Sequence, residues 1–240
     1  MKIQEKGDAL VYREDHVLLD RDTDCFGCLK PASAALLMQH LAEAHASRYG
    51  NGRNDLLKTG AVWVLARTKA RFSRLPKAGE RLELVTWPGK LLRNLFPRYY
   101  AFQAKGERIG SAVTLWMLVD ATTHLPTSPE KHQIFVTGEP VFPPPFEHPV
   151  RIREQGEPLY SLRRRCCYSD LDHNQHMNNA RYLEWICDIL QPARTPVGFQ
   201  VNFLSEIREK DEIALNVHPH AVVTGYRADG VRAFEGRLEF

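Results

Sequence analysis

No apolar stretch in this sequence approaches the ~20 residues needed to cross a bilayer. The best runs, Ala61 to Ala66 and Leu115 to Val119, are strand-sized. The opening Met1-Lys2-Ile3-Gln4-Glu5-Lys6 has no apolar core, so no secretory signal is expected. Cysteine is scarce. The five residues Cys25, Cys28, Cys166, Cys167 and Cys187 form an odd set without framework spacing, which excludes a disulfide scaffold. A reducing, cytoplasmic setting is expected. Charge of one sign is lacking too: 32 Lys plus Arg against 29 Asp plus Glu leave a net charge of +3. A nucleic-acid partner calls for a larger and more clustered basic excess, and none is expected. Gly50-Asn51-Gly52 reads as a turn; no strand, Gly-rich loop and helix follow one another to hold a nucleotide. Cys25-x-x-Cys28 is half of a metal motif with no second pair, so no metal is expected and the cysteines read as small interior residues.

What is present begins with proline. Eight of the 15 prolines fall between Pro126 and Pro158, including Pro143-Pro144-Pro145. Such a stretch cannot form helix or central strand. It reads as a semi-rigid, extended linker over 126–158, between a first half, 1–125, and a second, 159–240.

The halves resemble each other. Asp22-Thr23-Asp24, then Pro31 and the helix-like run Ala34 to Ala46, parallels Asp170-Leu171-Asp172, then Asn178-Asn179 and Tyr182 to Leu190. Downstream, Gly79 to Leu84 parallels Asp211 to Asn216. A repeat this long suggests duplication and fusion. In the first half Val62, Val64, Ala66, Thr68, Ala70 and Phe72 share one face, against Arg67, Lys69 and Arg71 on the other, which predicts a long half-buried strand. Further strands follow at Leu82 to Trp87, Tyr99 to Ala104 and Ala112 to Asp120. The second half repeats the series, with strands at Tyr160 to Tyr168, Gly198 to Ser205, Glu212 to Val217, Ala221 to Tyr226 and Val231 to Leu238. One helix per several antiparallel strands implies an α+β fold, each helix packed on a curled sheet.

One stretch is densest in polar chemistry: Tyr168 to Asn179, just before the second helix. Asp172, Asn174 and His176 are spaced by two, so in extended backbone they project to one side. A carboxylate, an amide and an imidazole together suit acyl transfer. The N–H groups opening the helix would support a developing oxyanion. The plainer reading makes Asp170, Asn178 and Asn179 helix caps. The first-half equivalents are Asp24, Phe26 and Cys28, so that copy lacks the amide and the imidazole.

Asp-Leu-Asp-His-Asn-Gln-His-Met-Asn-Asn-Ala-Arg-Tyr (170–182), followed by Glu184-Trp185, resembles the signature of the fatty acyl-acyl-carrier-protein thioesterases of plants and bacteria. Trp63 to Arg67, Gly79 to Pro88 and Thr114 to Asp120 also sit in that family's order. The resemblance implies a tandem, or double, hotdog fold, each half a long helix packed on a curled antiparallel sheet. It places the catalytic carboxylate, amide and imidazole on Asp172, Asn174 and His176, and a fourth site residue, a strand Glu, on Glu206. The plant family's Cys after that Glu is Ile207 here, which disfavours a thiol nucleophile. Asn178, Asn179 and Trp63 are candidate substrate contacts, although a Trp in such a strand is commonly core. The implied activity is hydrolysis of fatty acyl-acyl-carrier-protein, with water as second substrate and no cofactor. The implied partner is an acyl carrier protein, drawn to Arg163-Arg164-Arg165 or to the Arg67, Lys69 and Arg71 row. Alternatives are an acyl-CoA thioesterase of the 4-hydroxybenzoyl-CoA type and a non-catalytic acyl-thioester-binding module. A homodimer of the fused pair is left open.

Overall fold

The computed structural model describes residues 10–134, 140–153 and 156–240. The opening segment read for a signal, and residues 135–139 and 154–155 of the Pro-rich spacer, lie outside the described residues. In the first half the chain forms β1 (Tyr12–Val17), α1 (Pro31–Ser47), α2 (Arg53–Lys58), β2 (Ala61–Phe72), β3 (Arg81–Pro88), β4 (Leu95–Ala104) and β5 (Glu107–Asp120). In the second it forms β6 (Tyr160–Arg165), α3 (Asn179–Leu190), β7 (Gly198–Phe203), β8 (Glu212–His218), β9 (Val222–Arg227) and β10 (Arg232–Glu239).

Helix α1 begins with Pro31, whose missing N–H is no loss in a first turn. Helix α3 begins under a side-chain cap, because Asn178 Oδ1 accepts the Ala180 N–H at 2.9 Å. The two helices pack against each other, and one core joins Met38 and Leu41 of α1 to Leu183 and Ile186 of α3. Trp185 is completely buried there, and truncating a core Trp costs about 3–5 kcal/mol.

The strands form one ten-stranded sheet in the order β1-β3-β4-β5-β2-β7-β10-β9-β8-β6. Its two ends carry the same series: β1-β3-β4-β5-β2 in the first half corresponds to β6-β8-β9-β10-β7 in the second. Antiparallel pairing of β2 with β7 fuses them. The architecture is α+β, a double hotdog.

Several sequence expectations shift. The alternation expected along β2 breaks at Ala66, where Leu65 pairs with Trp116 but Arg67 pairs with Leu115. That bulge swaps faces: Ala61 and Leu65 are buried before it, Thr68, Ala70 and Phe72 after it, and Val64 is exposed. Strand β6 stops at Arg165, because residues Tyr168–Asp170 turn into a 3-10 helix. The downstream repeat is displaced by one residue from the sequence match. Buried Leu82 and Leu84 correspond to buried Ile213 and Leu215, since a period of two forbids the one-residue slip. Helix α2 was not expected at all.

The spacer is no free tether. Trp87 Nε1 donates to the Phe142 carbonyl (3.0 Å), Tyr99 and His148 share a hydrogen bond (2.9 Å), and Arg67 donates to the Pro149 carbonyl (3.0 Å). Ile152 N–H ends the crossing on Glu235 Oε1 (2.8 Å), a buried carboxylate also bound by Asn202 Nδ2 (2.8 Å). The segment thus crosses from β3 over β4 and β2 to β10.

Candidate active site

The loop between β6 and α3 is a tight turn, not extended backbone as the spacing suggested. Asp172 N–H donates to the His176 carbonyl (2.8 Å), and Gln175 N–H donates to the Asp172 carbonyl (3.0 Å). Gln175 takes a left-handed φ of 63° to close the turn. The Asp172 carboxylate helps build it: Oδ1 accepts the Asn174 N–H at 2.8 Å. Among the described residues Oδ2 receives only a long contact from Asn174 Nδ2, at 3.5 Å, and is the freer oxygen. The turn brings Asn174 to Asp172, and its backbone bond ties Asp172 to His176.

His176 and Glu206 meet, with Nε2 3.2 Å from Glu206 Oε2. Glu206 lies in the loop after β7, not on the strand as expected, and is exposed. An antiparallel bridge of His176 with Arg208 holds that loop against the turn, with Met177 N–H donating to the Ile207 carbonyl (2.8 Å). Arg208 Nη2 donates to Glu206 Oε2 as well, at 3.2 Å. Asp170 is structural; it is buried, and its carboxylate accepts the Cys167 N–H at 2.9 Å.

Asn178 spends its side-chain oxygen on the α3 cap. The Arg181 N–H is also taken, by the Asn178 carbonyl at 2.8 Å. Two of the N–H groups expected to support an oxyanion are therefore occupied, which leaves the Asn174 amide as the side-chain donor beside Asp172. Among the described residues, no hydrogen bond joins Asn179 to Asp172, Asn174 or His176.

Two residues that sequence reasoning missed connect this loop to the other half. Arg53, the first residue of α2, donates from Nη2 to Asn174 Oδ1 at 3.0 Å. Its backbone N–H donates to Glu43 Oε1 at 2.9 Å. Glu43 in turn lines a cavity of about 130 Å³ between α1 and the first-half sheet. A single water needs roughly 10–15 Å³ on that measure, so the space is several waters in size. Trp63, Phe96 and Trp116 line it; Trp63 stacks edge-on against Phe96 (4.8 Å) and donates Nε1 to the Asn51 carbonyl (3.0 Å). Arg98 and His45 also line it, with Arg98 Nη1 on His45 Nδ1 at 2.9 Å. Arg can only donate, so His45 Nδ1 accepts there. Burial holds the Arg98 guanidinium below its ordinary pKa.

Two of the cysteines are held in the thiol form. Cys166 is buried, and burial, then the nearby Asp170 and Asp211 carboxylates, push its thiol up to about 12. Cys187, on α3, is likewise raised by burial to about 12. A thiol must ionise to attack, and both are held away from that state. Cys25 and Cys167 are exposed, contrary to the interior placement expected of cysteines. Among the described residues no His, Cys, Asp or Glu cluster could hold a metal. No helix among them is long and apolar enough to cross a membrane. The two basic rows differ in setting. The β2 row is engaged under the spacer or by an acid: Arg67 on Pro149, Lys69 over the Phe146 ring (5.2 Å), Arg71 bidentate on Glu239. Arg163 and Arg165 are exposed on β6, and Arg208 and Lys210 are exposed beside the His176 loop.

Fold and loop together define a two-hotdog protein with a polar turn on one half and an aromatic cavity in the other. Models of the acyl-ACP thioesterase N-terminal and C-terminal domains match residues 9–131 and 154–232. The chain belongs to the acyl-ACP thioesterase family. A chloroplastic acyl-[acyl-carrier-protein] hydrolase of Cuphea viscosissima is 28% identical over 202 residues, 77% of this chain and 48% of that protein. A chloroplastic palmitoyl-acyl carrier protein thioesterase of Arabidopsis thaliana is 26% identical, over 80% of this chain and 48% of its own length. The chain thus spans about half the length of the curated relatives it matches. The fold is shared with an acyl-ACP thioesterase from Bacteroides thetaiotaomicron (TM-score 0.85, 23% identity, 98% of this chain and 99% of that one). It is shared as well with the 12:0-ACP thioesterase from Umbellularia californica (TM-score 0.78, 19% identity, 96% of each chain).

Proposed function

We propose that this chain hydrolyses fatty acyl-acyl-carrier-protein thioesters to free acid and carrier thiol. The observation that carries the reading is that one turn presents two polar pairs, Asp172 with Asn174 and His176 with Glu206. Family membership and the aromatic cavity support it. Asp172 carries the negative charge, and its freer Oδ2 attacks the thioester carbonyl carbon. The Asn174 amide donates to the carbonyl oxygen as charge develops there. The C–S bond breaks, and the leaving thiolate takes a proton from His176, which Glu206 holds in orientation. Water then attacks the acyl-carboxylate anhydride with His176 as base, which frees the acid and restores Asp172. In this reading the second half, 159–240, carries the chemistry. The first half, 1–125, holds the acyl chain along Trp63, and 126–158 straps the two together.

The experiment is thiol release from acyl-carrier-protein and from acyl-CoA, measured side by side on the same acyl group. Faster release from the carrier is expected. Equal or faster release from CoA would favour the acyl-CoA thioesterase instead. Tight binding with no release from either would leave only an acyl-binding module.

A further inference from the structure

The proposed catalytic loop lies wholly in the second half, yet one side chain on it is held by the first. Arg53 Nη2 donates to Asn174 Oδ1 across the boundary between halves, at 3.0 Å. A guanidinium has donors only, so the amide atom facing it must be the oxygen. The amide nitrogen is thereby turned toward Asp172, where it stands 3.5 Å from Oδ2. One N–H of that nitrogen addresses Asp172, and the other is left for a substrate carbonyl. A cation on the oxygen also polarises the amide and strengthens its N–H groups as donors. The anchor is itself anchored. Arg53 opens α2, and its N–H is fixed by Glu43 Oε1, which Ser47 also binds at 3.1 Å. Glu43 lines the cavity, so the wall that would hold the chain and the amide that would meet the carbonyl are joined through one residue.

We propose that Arg53 is a positioning residue for this site: it fixes the orientation of the Asn174 amide from the opposite half. The proposal rests on the thioesterase reading above. It makes the site a composite of both halves.

The test compares the full-length wild type with Arg53→Met, Arg53→Lys, Asn174→Ala and the double variant Arg53→Met/Asn174→Ala, on acyl-carrier-protein. Met keeps the aliphatic stem and loses the donors. Arg53→Met should lower kcat by roughly tenfold to a hundredfold with KM unchanged, the scale of a misplaced group. Arg53→Lys should recover part of kcat, since an ammonium donates without the planar fork. In the Asn174→Ala background Arg53→Met should add no further loss, because the partner it positions is gone. Melting temperatures show which variants fold; if Arg53→Met does not, the Lys variant and its cycle with Asn174→Ala carry the test. Wild-type kcat in Arg53→Met would overturn the proposal. So would an equal loss in both backgrounds, or a rise in KM alone, which would make Arg53 a substrate contact. A wild type that releases no thiol from any acyl thioester is a different failure; it would sink the thioesterase reading itself.

Discussion

In the first half, Asp24 Oδ1 accepts the N–H groups of Phe26 (3.0 Å) and Cys28 (3.3 Å). In the second, Asp172 Oδ1 accepts that of Asn174 (2.8 Å). Asp24 N–H donates to the Cys28 carbonyl (2.9 Å) as Asp172 N–H does to that of His176 (2.8 Å). The neighbouring loops match too: Leu29 N–H binds the Pro76 carbonyl, and Met177 N–H that of Ile207. The two turns therefore share one backbone, and an Asp at their start is what that backbone asks for. Its presence alone is no evidence of chemistry. The difference lies in what surrounds it: Phe26, Cys28 and Leu75 stand where the second half has Asn174, His176 and Glu206. A further contrast is Gly27 against Gln175, both left-handed, at φ 74° and 63°. Glycine adopts that conformation freely, whereas an L side chain loses on the order of 1 kcal/mol there. The second half keeps the strained residue beside the proposed site, where such strain tends to gather.

The strongest way to break this comparison is to make the same change in both turns. Asn keeps an Oδ1 acceptor for the turn and loses the charge. Asp172→Asn should lower kcat by about 10²–10⁴, the range for loss of a catalytic carboxylate or oxyanion donor. Asp24→Asn should leave kcat near that of the wild type and act on stability, since Asp24 Oδ2 accepts a hydrogen bond from Thr195 Oγ1 at 2.7 Å. Thiol-release kinetics with thermal melts on both variants decide it. Equal kcat losses in the two folded variants would mean that the turns are not divided into a chemical and a structural copy.

How much of this was legible in the sequence follows from the range of each interaction. The turn residues lie within a few positions of one another, so Asp172, Asn174 and His176 could be picked out by spacing. The premise of extended backbone was wrong, since the residues lie in an Asx turn that brings Asn174 to Asp172 and leaves His176 on Glu206. Glu206 was reachable only through family resemblance, as nothing local ties it to His176. Arg53 was invisible: it contacts Asn174 at a separation of 121 residues, from a six-residue helix without a strong pattern. The Ala66 bulge was also invisible, since no Gly or Pro marks it and the run before it, Ala61 to Ala66, is apolar throughout and shows no alternation to break.

A medium effect is expected from the interiors. The second-half core is filled by Tyr182, with Phe203 and Phe234 edge-on at 5.1 Å each. The first half leaves a cavity walled by Trp63 and Phe96. Phe234→Ala should cost about 3–5 kcal/mol of stability, as for other buried aromatics, with little change in KM of the folded enzyme. Trp63→Ala should instead raise KM by roughly tenfold, on the order of 1.4 kcal/mol of lost binding. Chemical denaturation and steady-state kinetics on the pair measure both. The comparison fails if Trp63→Ala changes stability alone.

The smallest effect concerns the charged surfaces, where the halves differ in what covers their basic rows. Arg165 is exposed on β6, close in the chain to the Asp172 turn, while Lys69 lies over the Phe146 ring beneath the spacer. Burial, then the Arg71 charge, lowers the Lys69 pKa below its ordinary value, as fits a cation partly withdrawn from water. An acidic carrier meeting the turn would therefore feel Arg165 more than Lys69. Arg165→Glu should raise KM for acyl-carrier-protein by about threefold to tenfold at low salt, the scale of a rim charge at an interface. The effect should shrink toward nothing at ~1 M salt, where screening acts within about 3 Å. Acyl-CoA kinetics should change less, since the carrier's acidic surface is absent. Lys69→Gln should leave KM for the carrier unchanged. If Lys69→Gln raised that KM and Arg165→Glu did not, the expectation would be reversed, and a carrier would approach across the spacer face rather than the β6 side.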